Sequence, residues 1–221
     1  MDLEILLAVD ISDSVQPDEA QLQRDGYLAA IASQQIIDAI QQGELGRIAL
    51  AYMEWADAHN QRVVVDWTVI ADADDARGFV DLLAEQPIGS GFHTSISAAI
   101  DVGVGLIEDN GFEGKRRIID ISGDGRSNKG RPLADARADA IARGITINGL
   151  PVSGYSRLAR SRVPPEYLEE YYRDEVIGGP GAFMVVAENF EDFVTAIHRK
   201  LLKEIADAGD EGDTLAGAGG F

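Results

Sequence analysis

Three stretches of the chain combine oxygen-bearing side chains with the ends or beginnings of apolar patterns. The first reads Ala8-Val9-Asp10-Ile11-Ser12-Asp13-Ser14 and follows the first apolar run. The second, Gly89-Ser90-Gly91-Phe92-His93-Thr94, precedes a helical pattern, and the third, Ile121-Ser122-Gly123-Asp124-Gly125, closes another apolar run. Asp10, Ser12 and Ser14 alternate as a strand turns into its loop, so they can present one carboxylate and two hydroxyls to one point. Thr94 adds a hydroxyl and Asp124 a second carboxylate. An all-oxygen set needs no imidazole or thiolate and suits a hard divalent ion, Mg²⁺ first, with Mn²⁺ or Ca²⁺ as alternatives. Water or an exogenous oxygen would complete the octahedron. Asp-x-Ser-x-Ser alone also reads as a helix-capping turn; the partners at the other two strand ends favour the metal.

The elements that must position these residues follow from the hydropathy pattern. Leu3 to Val9 reads as a strand buried on both faces. Pro17, Asp18 and Glu19 open a helical pattern that runs on through Leu22, Leu28, Ile31, Ile36, Ile37 and Ile40. Arg47 to Trp55 and Arg62 to Val69 read as two strands joined by a short turn at His59 and Asn60. Helices are expected over Asp72–Glu85, Thr94–Glu108, Pro132–Arg143 and Phe190–Ile205, with Gly144 as a left-handed cap. Lys115–Ser122, Ile145–Leu150 and Phe183–Ala187 read as further strands. This order predicts an α/β fold: a Rossmann-like, open, mostly parallel twisted sheet with one antiparallel edge strand and helices on both faces. Ligands in such sheets bind beyond the carboxyl ends of the strands, where the oxygen ligands stand.

Residues 1–207 are expected to form one domain, followed by a flexible, acidic, Gly- and Ala-rich tail over 208–221. The stretch Pro151–Gly181 is long for a connection, so it should be functional or carry its own helix, with Pro165–Arg173 the candidate.

The chain has 221 residues, with 38 Asp plus Glu against 19 Lys plus Arg and a formal net charge of −19. That balance argues against nucleic acid and anionic membranes as partners. The absence of cysteine excludes disulfides, thiolate metal sites and a thiol nucleophile. The apolar run Ile5–Val9 is too short to insert in a membrane, and it follows Asp2 and Glu4 rather than a basic leader. Asp120, inside an apolar strand, should be hydrogen-bonded if buried. Trp55, Trp67, Tyr27 and Tyr52 read as core aromatics, and Gly103-Val104-Gly105 as helical rather than a phosphate loop.

The oxygen set resembles the von Willebrand factor type A (vWA) domain with its metal-ion-dependent adhesion site (MIDAS). That family carries Asp-x-Ser-x-Ser after strand one, Thr in a Gly-rich loop, and Asp before Gly after strand four. The match assigns Asp10, Ser12, Ser14, Thr94 and Asp124 as metal ligands. Leu22-Gln23-Arg24-Asp25-Gly26-Tyr27, Ile119 to Gly125, Gly144 to Leu150 and Ile177 to Phe183 are similar to a bacterial branch designated DUF1194. The family usually has Gly between the two serines; here Asp13 stands there, a residue that tolerates the left-handed region better than most.

The resemblance implies a divalent-metal-dependent adhesion or interaction module. Its metal would engage an Asp or Glu of a protein partner. It also implies export to the periplasm, with the signal absent from this sequence, and a cytoplasmic location otherwise. Asp13, His93, Arg157, Arg160 and Arg162 are expected to rim the site. The alternatives are a metal-dependent hydrolase and a metal-filled scaffold subunit of an assembly. No P-loop, nucleophile elbow or two-histidine metal motif stands in the sequence to support an enzyme.

Overall fold

A computed structural model describes residues 1–152, 165–189 and 192–206. Arg157, Arg160, Arg162 and the 208–221 tail lie outside the described residues.

Five strands form one sheet: β1 (Leu3–Asp10), β2 (Ile48–Trp55), β3 (Gln61–Ile70), β4 (Arg116–Gly123) and β5 (Thr146–Pro151). Their order is β3-β2-β1-β4-β5. All pairs are parallel except β2 with β3, so β3 is the expected antiparallel edge. β1 lies at the centre and every one of its residues is buried, which is why its sequence is continuously apolar between Ile5 and Val9. One face packs under α1 (Pro17–Ile31), α2 (Gln34–Gln41), α3 (Ala73–Ala84) and α7 (Phe193–Ala206). The other packs under α4 (Ile96–Glu108), α5 (Leu133–Ala142) and α6 (Pro165–Tyr171), which runs into a π-helical turn over Tyr172–Val176.

Local chemistry explains several boundaries. Asp72 caps α3 by accepting from the amides of Asp74 and Asp75 at 2.9 and 3.0 Å. Gly144, at φ +71°, closes α5 in the left-handed region. Gly103 lies inside α4, where a Cβ would stand 2.9 Å from Ile119 Cδ1 and 3.0 Å from Leu6 Cδ2. It lets the helix sit close on β1 and β4. Trp55, Tyr27 and Tyr52 are core residues, as expected, while Trp67 is only partly buried.

Two expectations need correction. The helical pattern through Ile40 is two helices, not one. It breaks at Ser33, whose hydroxyl accepts from the Ile36 amide at 3.3 Å and starts α2 afresh. Phe183–Ala187 is not a sixth strand. It makes only two isolated parallel bridges, Met184 with Gly149 and Ala187 with Val152. The Phe183 amide donates instead to the Asn148 side-chain oxygen at 3.0 Å.

A buried charged cluster ties α7 to the sheet. Lys200 Nζ lies 2.5 Å from Asp120 Oδ1 and 2.6 Å from Glu204 Oε1, all three side chains fully buried. Asn148 Nδ2 donates to the same Glu204 oxygen at 2.8 Å. Asp120 is thus held by its contact with Lys200, and its Oδ2 has no hydrogen-bond partner.

Candidate metal centre

The sheet order reverses at β1 and β4, and both strands end at the same edge. That switch point opens a crevice, and three loops meet there. The structure brings together all five oxygen side chains predicted as ligands. Ser12 N–H donates to Asp10 Oδ1 at 2.7 Å, folding the loop back over the carboxylate. The Ser12 and Ser14 hydroxyls are 3.1 Å apart. Ser14 Oγ donates to Asp124 Oδ1 at 2.6 Å, and Thr94 Oγ1 donates to Ser12 Oγ at 3.3 Å.

Asp10 Oδ2 completes the set. It is fully buried and has no hydrogen-bond partner. Native proteins seldom leave such an atom unpaired, and a bound cation satisfies it where no donor stands within reach. Burial first, and then the charge of Asp124, pushes the Asp10 carboxyl well above the ordinary carboxylate range. Asp124 is pushed up to about 6, chiefly by burial; the Ser14 hydrogen bond opposes this, and Glu19 and Asp13 reinforce it. A fully buried carboxylate whose charge Asp124 disfavours, the partly buried Asp124 itself and three neutral hydroxyls fit a hard divalent cation. Among the described residues no group of three or more His, Cys, Asp or Glu is placed to hold a metal, so any cation here depends on the hydroxyls as well.

The Thr94 loop is held from below. Glu54, buried at the end of β2, pairs with Arg24 and, at 2.7 Å, with Arg62. Glu54 Oε2 also accepts from Gly89 N–H at 2.9 Å. Arg24 donates to the carbonyls of Leu83 and Gln86 at 2.8 and 3.2 Å, fixing the exit of α3. Gly91 N–H donates to Ile11 O at 2.9 Å and Ser95 N–H to Ala56 O at 2.7 Å. The Asp124 loop then binds the Thr94 loop: Thr94 N–H donates to Asn128 Oδ1 at 3.1 Å, and Asn128 N–H returns to Thr94 O at 2.8 Å.

Of the expected rim, Asp13 and His93 are exposed beside the ligand loops. Asp13 does not use the left-handed region, since no residue other than glycine has positive φ among those described. Gly is therefore not required at that position here. Sequence reasoning missed Arg24, Glu54, Asn128, Tyr171 and Tyr172. Arg24 and Asp25-Gly26-Tyr27 stood in a recognised run, but nothing local pointed to Glu54, 30 residues away.

No curated protein matches the sequence. Solved structures do. Proximal thread matrix protein 1 of the mussel byssus is 16% identical with a TM-score of 0.64, covering 93% of this chain and 47% of that one. A crystal of the same protein with a zinc occupied MIDAS motif is 16% identical at TM-score 0.61, with the same coverage of 93% and 47%. A von Willebrand factor type A protein from Catenulispora acidiphila is 14% identical, with TM-score 0.62 and coverage of 92% and 42%. The pilus adhesin SpaC from Lactobacillus rhamnosus GG, in its open conformation, is 14% identical, with TM-score 0.64 and coverage of 92% and 30%. At these identities the likeness is one of fold, and the fold is vWA-like. The chain spans less than half the length of each of these proteins. Among the described residues no helix is long and apolar enough to cross a membrane. The family model described as "Protein of unknown function (DUF1194)" matches residues 1–209, and the chain belongs to that family.

Proposed function

We propose that this chain is a divalent-cation-dependent protein-interaction module. Asp10, Ser12, Ser14, Thr94 and Asp124 hold the ion, Mg²⁺ by preference, and the ion engages a carboxylate of a partner. The observation that carries this reading is the hydrogen-bonded cluster that Ser12, Ser14, Thr94 and Asp124 form beside Asp10, whose buried Oδ2 has no partner. Three of the five side chains are neutral hydroxyls, so an ion held here would keep an open coordination position, where its local field attracts one more anionic oxygen. A partner's Asp or Glu supplies that oxygen. Phe92, 79% exposed and two residues before Thr94, offers an apolar anchor next to it. The adhesin and the zinc-bearing matrix protein among the fold neighbours support the same class of function.

Calorimetric titration of chelator-treated protein with Mg²⁺, Mn²⁺ and Ca²⁺ tests the site. Wild type is expected to bind and Asp10→Ala to lose binding. Immobilised Glu-bearing peptides should then capture wild type in Mg²⁺ and release it in chelator. Ion binding that survives Asp10→Ala removes the metal reading. Turnover of a generic phosphoester or ester that Asp124→Ala abolishes replaces the interaction module with a hydrolase.

A further inference from the structure

Asp124 rides on the stretch from Gly123 to Ser127, and consecutive tyrosines pin both ends of that stretch. Tyr172 Oη donates to the Gly123 carbonyl at 3.4 Å, and Ser127 N–H donates to Tyr171 Oη at 3.1 Å. The Arg126 guanidinium lies 4.4 Å over the Tyr171 ring and pairs with Glu175 at 3.1 Å. The two tyrosine rings pack edge to face with centroids 6.2 Å apart.

Neighbouring residues on an α-helix point about 100° apart, so two in a row rarely serve one loop. Here the helix widens into its π turn at Tyr172, a device that concentrates at functional sites. Two glycines make the room. A Cβ at Gly149 on β5 would stand 2.7 Å from Tyr172 Cδ1. A Cβ at Gly123 would stand 2.9 Å from Asp10 Oδ2 and 3.0 Å from Tyr172 Oη, so these two oxygens flank the same point. Neither glycine has positive φ; what each supplies is space.

We propose that Tyr171 and Tyr172 are positioning residues of the metal site. They hold the Asp124 stretch in the geometry that accepts the ion, and this makes the end of α6 and its π turn part of the site. The proposal rests on the metal reading above. Partners that orient ligands typically govern affinity by about tenfold or more, because a ligand that must first be ordered binds more weakly.

The test uses the whole chain, chelator-treated, titrated with Mn²⁺. Tyr171→Phe and Tyr172→Phe keep the rings and remove the hydroxyls. Each is expected to weaken Mn²⁺ binding roughly threefold to tenfold. Arg126→Ala, at an exposed side chain, is expected to weaken it about threefold by freeing the Tyr171 ring. Tyr27→Phe is the control: its hydroxyl donates to Ser122 Oγ at 3.2 Å on the same strand, under α1. It should lower the melting temperature as much as the others while leaving Mn²⁺ affinity at the wild-type value. Amide exchange at Ser127 should quicken in Tyr171→Phe alone. Wild-type affinity in both Phe variants, with binding abolished by Asp10→Ala, overturns the proposal and leaves the metal reading intact. Equal loss in Tyr27→Phe overturns it as a folding effect. Unchanged affinity in Asp10→Ala removes the metal reading and this proposal with it.

Discussion

Asp124→Asn removes a charge that the ion-free fold tolerates badly, so the variant should gain stability as it loses metal. Burial first, opposed by Ser14 and reinforced by Glu19 and Asp13, raises the Asp124 carboxyl from 3.8 to about 6. That difference corresponds to about 3 kcal/mol. The sign follows from linkage: the folded chain keeps this proton longer than the unfolded one. The favourable contribution is complete below the unfolded value and disappears as pH rises through about 6. Asn carries no charge and keeps the contribution at every pH. The 2.6 Å bond from Ser14 is already counted in that shift; what stands against the gain is the amide's Nδ2, a donor the site has no use for, at a cost of about 1 kcal/mol. The net expectation at pH 7.5 in chelator is a variant about 2 kcal/mol more stable, melting about 4–8 °C higher. At pH 4 the gain should vanish. Urea unfolding at the two pH values, with chelator and then with Mg²⁺, measures this. Wild type in Mg²⁺ at a hundred times its dissociation constant should gain about 2.7 kcal/mol, which inverts the order of the two proteins. A variant less stable than wild type at pH 7.5 without metal, or an equal difference at both pH values, refutes the reasoning.

Three further substitutions probe the framework. Lys200→Met leaves Asp120 and Glu204 buried without their cation and should cost about 3–5 kcal/mol at pH 8 by urea unfolding. The loss should shrink at pH 5, because burial has already pushed Asp120 up to about 7 against the pull of Lys200; a pH-independent loss contradicts the assignment. Arg24→Leu strips Glu54 of its buried partner and frees the Leu83 and Gln86 carbonyls, at a cost of about 3 kcal/mol and with weaker Mn²⁺ binding through the Thr94 loop. Wild-type affinity in a folded Arg24→Leu protein would separate that clamp from the site. Gly149→Ala places a methyl 2.7 Å from the Tyr172 ring and 3.0 Å from Ile177, so a loss of about 1–3 kcal/mol is expected in thermal unfolding.

Much of the fold was legible because its signals are local. A strand buried on both faces must be mainly apolar; β1 and β2 show it apart from the charged residues near their ends, and β4 shows it from Ile118 to Ile121 apart from Asp120. Strand polarity then places whatever follows these strands at one edge of a parallel sheet. That is why Asp10, Ser12, Ser14 and Asp124 could be grouped from the order of residues alone. The break between α1 and α2 was hidden because Ser33 sits in an uninterrupted apolar pattern, and only its capping bond to Ile36 marks the stop. The Phe183–Ala187 segment has the composition of a strand, but Asn148 takes the Phe183 amide. Composition cannot show which acceptor wins.

By itself, then, the sequence determined which atoms are available: five oxygen-bearing side chains, each next to a predicted strand or helix end, and an acidic chain with no competing thiolate. Tertiary structure decided their surroundings. Ser14 meets Asp124 across 110 residues, Arg24 meets Glu54 across 30, and Ser127 meets Tyr171 across 44. Such pairs carry no periodicity, since periodicity records which face of an element is buried and not what covers it. Whether Asp120 is a defect or a member of an ion cluster depends on Lys200, brought to it by the packing of α7. A carboxylate's burial, its open oxygen and its raised proton affinity are properties of neighbours, and neighbours are set only when the chain has closed on itself.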